Sequence, residues 1–150
     1  PVPGRQVTHV LANGAVLVDD SYNANPASLT AAIDTLAAAG GECWPVLGDM
    51  RELGAEGEAL HADAGRRAKA AGIGRLYALG PLGNAAAMAF GEGARSFETH
   101  KELSDALRAD LSQGARHSGV RCLVKGSRGS AMDRIVTALL STGEGASHAA

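Results

Sequence analysis

Short apolar runs alternate with helix-patterned segments along almost the whole chain, and this alternation most constrains the fold. Val16-Leu17-Val18 is followed by a segment that sets Leu29, Ala32, Ile33 and Leu36 on one helical face. Glu42 to Leu47 precedes a pattern from Glu56 to Ala71 with Leu60, Ala64, Ala68 and Ala71 aligned and Gly72 as its stop. Arg75 to Leu79 leads through Gly80-Pro81 into an alanine-rich helix ending near Phe90, and Ala94 to Phe97 reads as a brief strand. Thr99 and Glu102 form a capping box for a helix burying Leu103, Ala106, Leu107 and Leu111. Val120 to Val124 is a further strand, and Ile135, Val136, Leu139 and Leu140 mark a last helix. Strands alternating with helices predict an α/β fold, a mostly parallel sheet with helices on both faces. Val7 to Leu11 and Ala15 to Asp19 flank Asn13-Gly14, two residues that tolerate positive φ and predict an opening β-hairpin. One antiparallel strand makes the sheet mixed, with about six strands.

The 150 residues correspond to one domain, long enough to bury a core. Only 3% are aromatic, so that core is expected to rest on small aliphatic side chains and close helix–sheet packing. A formal net charge of −2 supplies no basic stripe for nucleic acid. No apolar run approaches the roughly 20 residues of a membrane span, and no signal-peptide pattern opens the chain. Cys43 and Cys122 each fall inside a strand and are expected to be small buried thiols in a reduced cytoplasm. The opening Pro1-Val2-Pro3-Gly4 suggests an excised domain or a processed fragment, and the small polar residues from Thr142 suggest a disordered tail over 142–150 after a domain at 1–141.

Polar chemistry collects where strands hand over to helices. Asp19-Asp20-Ser21-Tyr22-Asn23-Ala24-Asn25-Pro26 places a carboxylate, a hydroxyl, a phenol and two amides at such a junction, where open α/β sheets bind ligands. Asn25 can cap the following helix and Pro26 suits its first turn. Capping leaves Asp20, Tyr22 and Asn23 unexplained. Gly48-Asp49-Met50-Arg51-Glu52-Leu53-Gly54 admits two readings. Asp49 with Glu52 three residues on is a capping arrangement for a helix starting near Met50, and the same loop can line a ligand pocket. Lys125-Gly126-Ser127-Arg128 follows an apolar strand and offers donors to a carboxylate, or forms a plain cationic connection. The chain has no G-x-x-x-x-G-K-[ST] and no G-x-G-x-x-G after a strand, so it lacks a phosphate-cradling loop and a dinucleotide fingerprint. No common metal-ligand spacing occurs, and His9, His61, His100, His117 and His148 are expected to be surface or capping groups.

The runs DDSYNANP, GDMRELG and KGSR, in that order at strand ends, closely resemble the C-terminal domain of the Mur ligases from about Gly4 to about Leu140. The resemblance implies a Rossmann-like three-layer domain of a cytoplasmic ATP-dependent ligase of peptidoglycan precursor synthesis.

 

The implied enzyme is a cytoplasmic monomer that joins D-alanyl-D-alanine to UDP-N-acetylmuramoyl-tripeptide, using ATP and Mg²⁺. In the family the phosphate loop and most Mg²⁺ ligands belong to a central domain and the UDP site to an N-terminal one, so the chain alone is expected to be inactive, with no catalytic residue of its own. Carried over residue by residue, the resemblance assigns Arg5, Asp20, Tyr22, Asn23 and Asn25 to the nucleotide, with Asp20 on the ribose. It assigns Asp49, Glu52, Lys125, Ser127 and Arg128 to the amino substrate, and no residue to a metal. Removing Asp20 is accordingly expected to weaken ATP use without unfolding the domain. Two alternatives stand beside this reading: a related ligase domain of the folylpolyglutamate synthase type, and a non-catalytic α/β module that binds a small acidic ligand.

Overall fold

The computed structural model describes residues 6–21, 24–113 and 119–149, with side chains described as far as Ser141. Strands β1 (Val7–Val10), β2 (Val16–Asp20), β3 (Cys43–Leu47), β4 (Leu76–Leu79), β5 (Ala94–Phe97) and β6 (Arg121–Lys125) form one sheet in the order β1-β2-β6-β3-β4-β5. Only the β1–β2 pair is antiparallel. The expected α/β class and mixed sheet are therefore what the chain adopts.

The helices are α1 (Pro26–Ala38), α2 (Gly57–Ala70), α3 (Pro81–Phe90), α4 (His100–Leu111) and α5 (Asp133–Ala149). Successive strand side chains point to opposite faces, and the two main cores divide accordingly. Leu17, Trp44, Val46, Tyr77, Cys122 and Val124 pack with Leu103 and Leu107 of α4 and Ile135 and Leu139 of α5. Leu47, Leu76 and Ala78 pack on the other face with Leu29 and Ile33 of α1, Ala64 and Ala68 of α2, and Ala86 and Phe90 of α3. The layers are thus helices, sheet, helices. Gly65 shows how close the small-residue packing is: a Cβ there would collide with the backbone carbonyl of Ala86.

Two local expectations are corrected. The hairpin is not a two-residue turn with both residues at positive φ. Only Gly14 is left-handed (φ 91°), and Gly14 N–H donates to Leu11 O at 2.9 Å while Leu11 N–H donates to Ala15 O at 2.8 Å. That is a three-residue loop, with glycine where the backbone must turn left. The second helix begins at Gly57, preceded by a 3₁₀ turn over Gly54–Glu56, so no helix starts near Met50. Helix α5 continues past Thr142 to Ala149; the side chains from 142 onward lie outside the described residues.

Candidate functional site

The strand order places β6 between β2 and β3. The C-terminal ends of these three neighbours carry the three polar segments, and the register sets Asp20 opposite Lys125 and Leu47 opposite Lys125. Segments separated by up to a hundred residues of sequence thus meet on one edge, where a parallel sheet presents its ligand sites.

On the first segment, Asp19 folds the chain by accepting hydrogen bonds from Ser21 N (3.1 Å) and Ser21 Oγ (2.6 Å). Asn25 Oδ1 accepts from Ser28 N at 2.9 Å, and Asn25 N donates to Ser28 Oγ at 3.2 Å, a reciprocal cap that opens α1. The capping role expected of Asn25 is present. Arg5, Tyr22 and Asn23 lie outside the described residues.

Asp20 and Lys125, assigned to different ligands by resemblance, contact each other. Lys125 Nζ donates to Asp20 Oδ2 at 2.7 Å, with side-chain exposures of 3% and 15%. A nearly buried ammonium needs such a counter-charge. Beside the pair, a groove of about 660 Å³ runs between α1 and strands β1, β2 and β6, touching Thr8, Val18, Ser28, Thr35 and Arg121.

The second and third segments are knitted together through backbone groups. Gly48 N–H donates to Lys125 O (2.8 Å), Ser127 N–H to Asp49 O (3.1 Å), and Arg51 N–H to Ser127 Oγ (2.8 Å). Gly48 and Gly126 are needed for this approach, because a Cβ on either would strike Met132 and Ser130 Oγ. Ser127 O in turn accepts from Ser130 N (2.9 Å) and Ser130 Oγ (2.7 Å), closing the 3₁₀ turn Arg128–Ser130. Arg51 lays its guanidinium along Gly129, within 3.3 Å of where a Cβ would stand.

Asp49 does not cap a helix of its own. Its Oδ1 accepts from Gly83 N at 2.8 Å, which is the third residue of α3. The N-cap of α3 is Gly80, which has no side chain, so the carboxylate of Asp49 satisfies that helix end from the neighbouring strand. Gly80 (φ 94°) leaves the room, since a Cβ there would lie 2.6 Å from Asp49 Oδ1. Glu52 is exposed and left-handed (φ 64°) and makes no cap. Arg128 is exposed on the rim of the same edge.

Two histidines expected at the surface or as caps brace these loops. His61 of α2 is 1% exposed, accepts from Met50 N at Nε2 (2.9 Å) and meets Gly57 O through Nδ1 (2.7 Å). His100 Nε2 donates to Ser130 O at 2.9 Å. The signal for His61 was its place three and seven residues before Ala64 and Ala68 on the buried face of α2.

Among the described residues no group of three or more His, Cys, Asp or Glu side chains could hold a metal ion, and no helix is long and apolar enough to cross a membrane. Cys43 and Cys122 are buried free thiols. Burial, reinforced by Glu42 and Cys43, pushes the Cys122 thiol up to about 12.

A mixed three-layer α/β domain thus gathers these segments on one sheet edge. Residues 4–128 match the family described as Mur ligase, glutamate ligase domain, and the chain belongs to that family. It is 44% identical over 142 residues to the UDP-N-acetylmuramoyl-tripeptide–D-alanyl-D-alanine ligase of Escherichia coli K12, covering 95% of this chain and 30% of that protein. The ligase of the same name from Bacillus subtilis 168 is 35% identical over 136 residues, covering 87% of this chain and 29% of the relative. The chain therefore spans about 30% of the length of these curated relatives. Among solved structures, MurF from Acinetobacter baumannii superposes with a TM-score of 0.81 at 28% identity, over 93% of this chain and 31% of that one. MurF ligase from Thermotoga maritima, solved in complex with ADP, gives 0.78 at 23% identity over 96% of this chain and 32% of that one, a likeness of fold.

Proposed function

We propose that this chain is the C-terminal domain of a cytoplasmic, monomeric ligase that uses ATP to join D-alanyl-D-alanine to UDP-N-acetylmuramoyl-tripeptide, working with central and N-terminal domains of the same protein. The observation that carries the reading is the meeting of the three polar segments at the ends of adjacent strands β2, β6 and β3. The identity to the E. coli ligase over 95% of the chain supports the same assignment.

In this reading ATP transfers its γ-phosphoryl group to the terminal carboxylate of the tripeptide, releasing ADP. The dipeptide amine attacks the acyl phosphate, and the tetrahedral intermediate collapses to the amide and inorganic phosphate with loss of the amine proton. The domain's share is orientation and closure, which turn an encounter into an aligned pair. Asp20, with Arg5, Tyr22, Asn23 and Asn25, is assigned to the nucleotide. Ser127, Arg128, Asp49, Glu52 and Lys125 form the amino-substrate side, where Arg128 meets the dipeptide carboxylate and Lys125 acts through its pair with Asp20. Asp49 shapes the loop while it caps α3. Magnesium has no assigned ligand among the described residues, which supply no cation cluster.

The test is steady-state kinetics on the full-length enzyme, varying each substrate in turn. Arg128→Ala removes an exposed cation and should raise KM for D-alanyl-D-alanine by roughly ten- to a hundred-fold, the worth of a charge-assisted hydrogen bond of about 1.5–3 kcal/mol. KM for ATP should stay within about twofold. Equal effects on both substrates would reject the assignment.

A further inference from the structure

We propose that His61 is a positioning residue for the amino substrate, acting through the Gly48–Gly54 loop. The inference rests on the reading above that this loop and the Ser127–Arg128 turn receive the dipeptide. The hydrogen bonds of His61 go to backbone groups of Met50 and Gly57, neither of them assigned to a ligand, and the mechanism leaves it unused. Its ring is nevertheless 1% exposed and engaged at both nitrogens.

The hydrogen bonds fix the ring's state. Met50 N–H can only donate, so Nε2 at 2.9 Å must accept, and the proton sits on Nδ1, which donates to Gly57 O at 2.7 Å. One ring thereby ties the first turn of α2 to the loop. The tie is placed where it matters: the next amide, Arg51 N–H, is held by Ser127 Oγ, and the preceding carbonyl, Asp49 O, holds Ser127 N–H. Met50 itself is 1% exposed and packs with Leu29, Ile33 and Leu47. Losing the His61 bond frees a buried amide in the middle of the loop that registers Ser127, and Glu52 in its left-handed conformation follows two residues later. An active-site element displaced by about 1 Å loses up to about a hundredfold in rate.

Two substitutions separate the bonds. In His61→Gln the amide oxygen reaches the place of Nε2 and keeps the acceptor for Met50. In His61→Asn the side chain reaches only the place of Nδ1 and keeps the bond to Gly57. Both lose one hydrogen bond, so a purely structural role would make them similar. In the full-length enzyme His61→Asn should raise KM for D-alanyl-D-alanine about tenfold with KM for ATP within about twofold, and hydrogen exchange across residues 48–53 should accelerate. His61→Gln should restore both. Equal impairment by the two variants, equal loss for both substrates, or a loosened loop with unchanged dipeptide KM overturns the proposal. If His61→Asn does not fold, a raised dipeptide KM in His61→Gln alone overturns it. Arg128→Ala, run in parallel, tells the two failures apart: an effect there with none at His61 removes only His61, whereas no effect at either removes the site.

Discussion

Replacing Asp20 by Asn should cost far more stability than a substitution on a sheet rim ordinarily would. Lys125 Nζ lies 2.7 Å from Asp20 Oδ2, and the lysine side chain is 3% exposed, so the variant takes the Asp20 charge away from an ammonium that has almost no water. Breaking a buried pair by removing one partner costs about 3–5 kcal/mol, against about 0–1 kcal/mol for a surface pair. At roughly 2–4 °C per kcal/mol for a chain of this size, the melting temperature should fall by roughly 6–20 °C. Lys125→Met should cost less, because Asp20 retains 15% exposure and can turn to solvent. The double variant Asp20→Asn/Lys125→Met removes both charges and should recover to within about 2 kcal/mol of the parent. Urea and thermal unfolding of the four proteins, followed by circular dichroism, complete the cycle. Losses below about 1 kcal/mol for Asp20→Asn, or a double variant as unstable as the sum of the singles, would refute the reasoning. The expectation that Asp20 can be removed without affecting the fold is replaced by this one.

Gly80→Ala should destabilise by about 1–3 kcal/mol in urea unfolding, because the new Cβ would meet Asp49 Oδ1 and the residue sits at φ 94°; Asp49→Ala, which empties that space, should make the added cost of Gly80→Ala smaller. Stability should also decline in alkali. Burial raises the Cys122 thiol from 9.0 to about 12, so the folded state holds a proton that the unfolded state releases, and stability present below pH 9 is lost as pH rises toward 12. The unfolding free energy measured from pH 8.5 upward should fall, and Cys122→Ala should flatten the slope by as much as about 1.4 kcal/mol per pH unit. Incubated with ATP, the tripeptide precursor and the dipeptide, the 150-residue chain by itself should release no phosphate above buffer, since it contains no phosphate-cradling loop.

The layers and most elements were legible because their signals are local. The strand at Ala94–Phe97 and the end of α3 at Phe90 coincide with the sequence reading, as does the Thr99 cap, whose Oγ1 accepts from Glu102 N at 3.1 Å. What escaped depends on which strands are neighbours. The Asp20–Lys125 pair joins residues 105 apart and exists only because β6 inserts between β2 and β3. The Asp49 cap was read onto the wrong helix for the same reason: the spacing of Asp49 and Glu52 is a local signal, but the orphan N–H groups lay on α3, beyond another strand. His61 was misplaced because Leu60 rather than His61 was taken for the buried face of α2, and a polar ring seldom scores as core.

The hydrogen bonds between the Gly48 and Lys125 loops have a consequence for how recognition can change over evolutionary time. Gly48, Met50, Arg51 and Ser127 have committed their amides to scaffold partners, so those backbone donors are spent before any ligand arrives. Under the assignment proposed above, discrimination on that side falls to the side chains of Arg51, Glu52 and Arg128, which are exposed. Such an edge can exchange its vocabulary of side chains while its grammar of backbone bonds stays fixed.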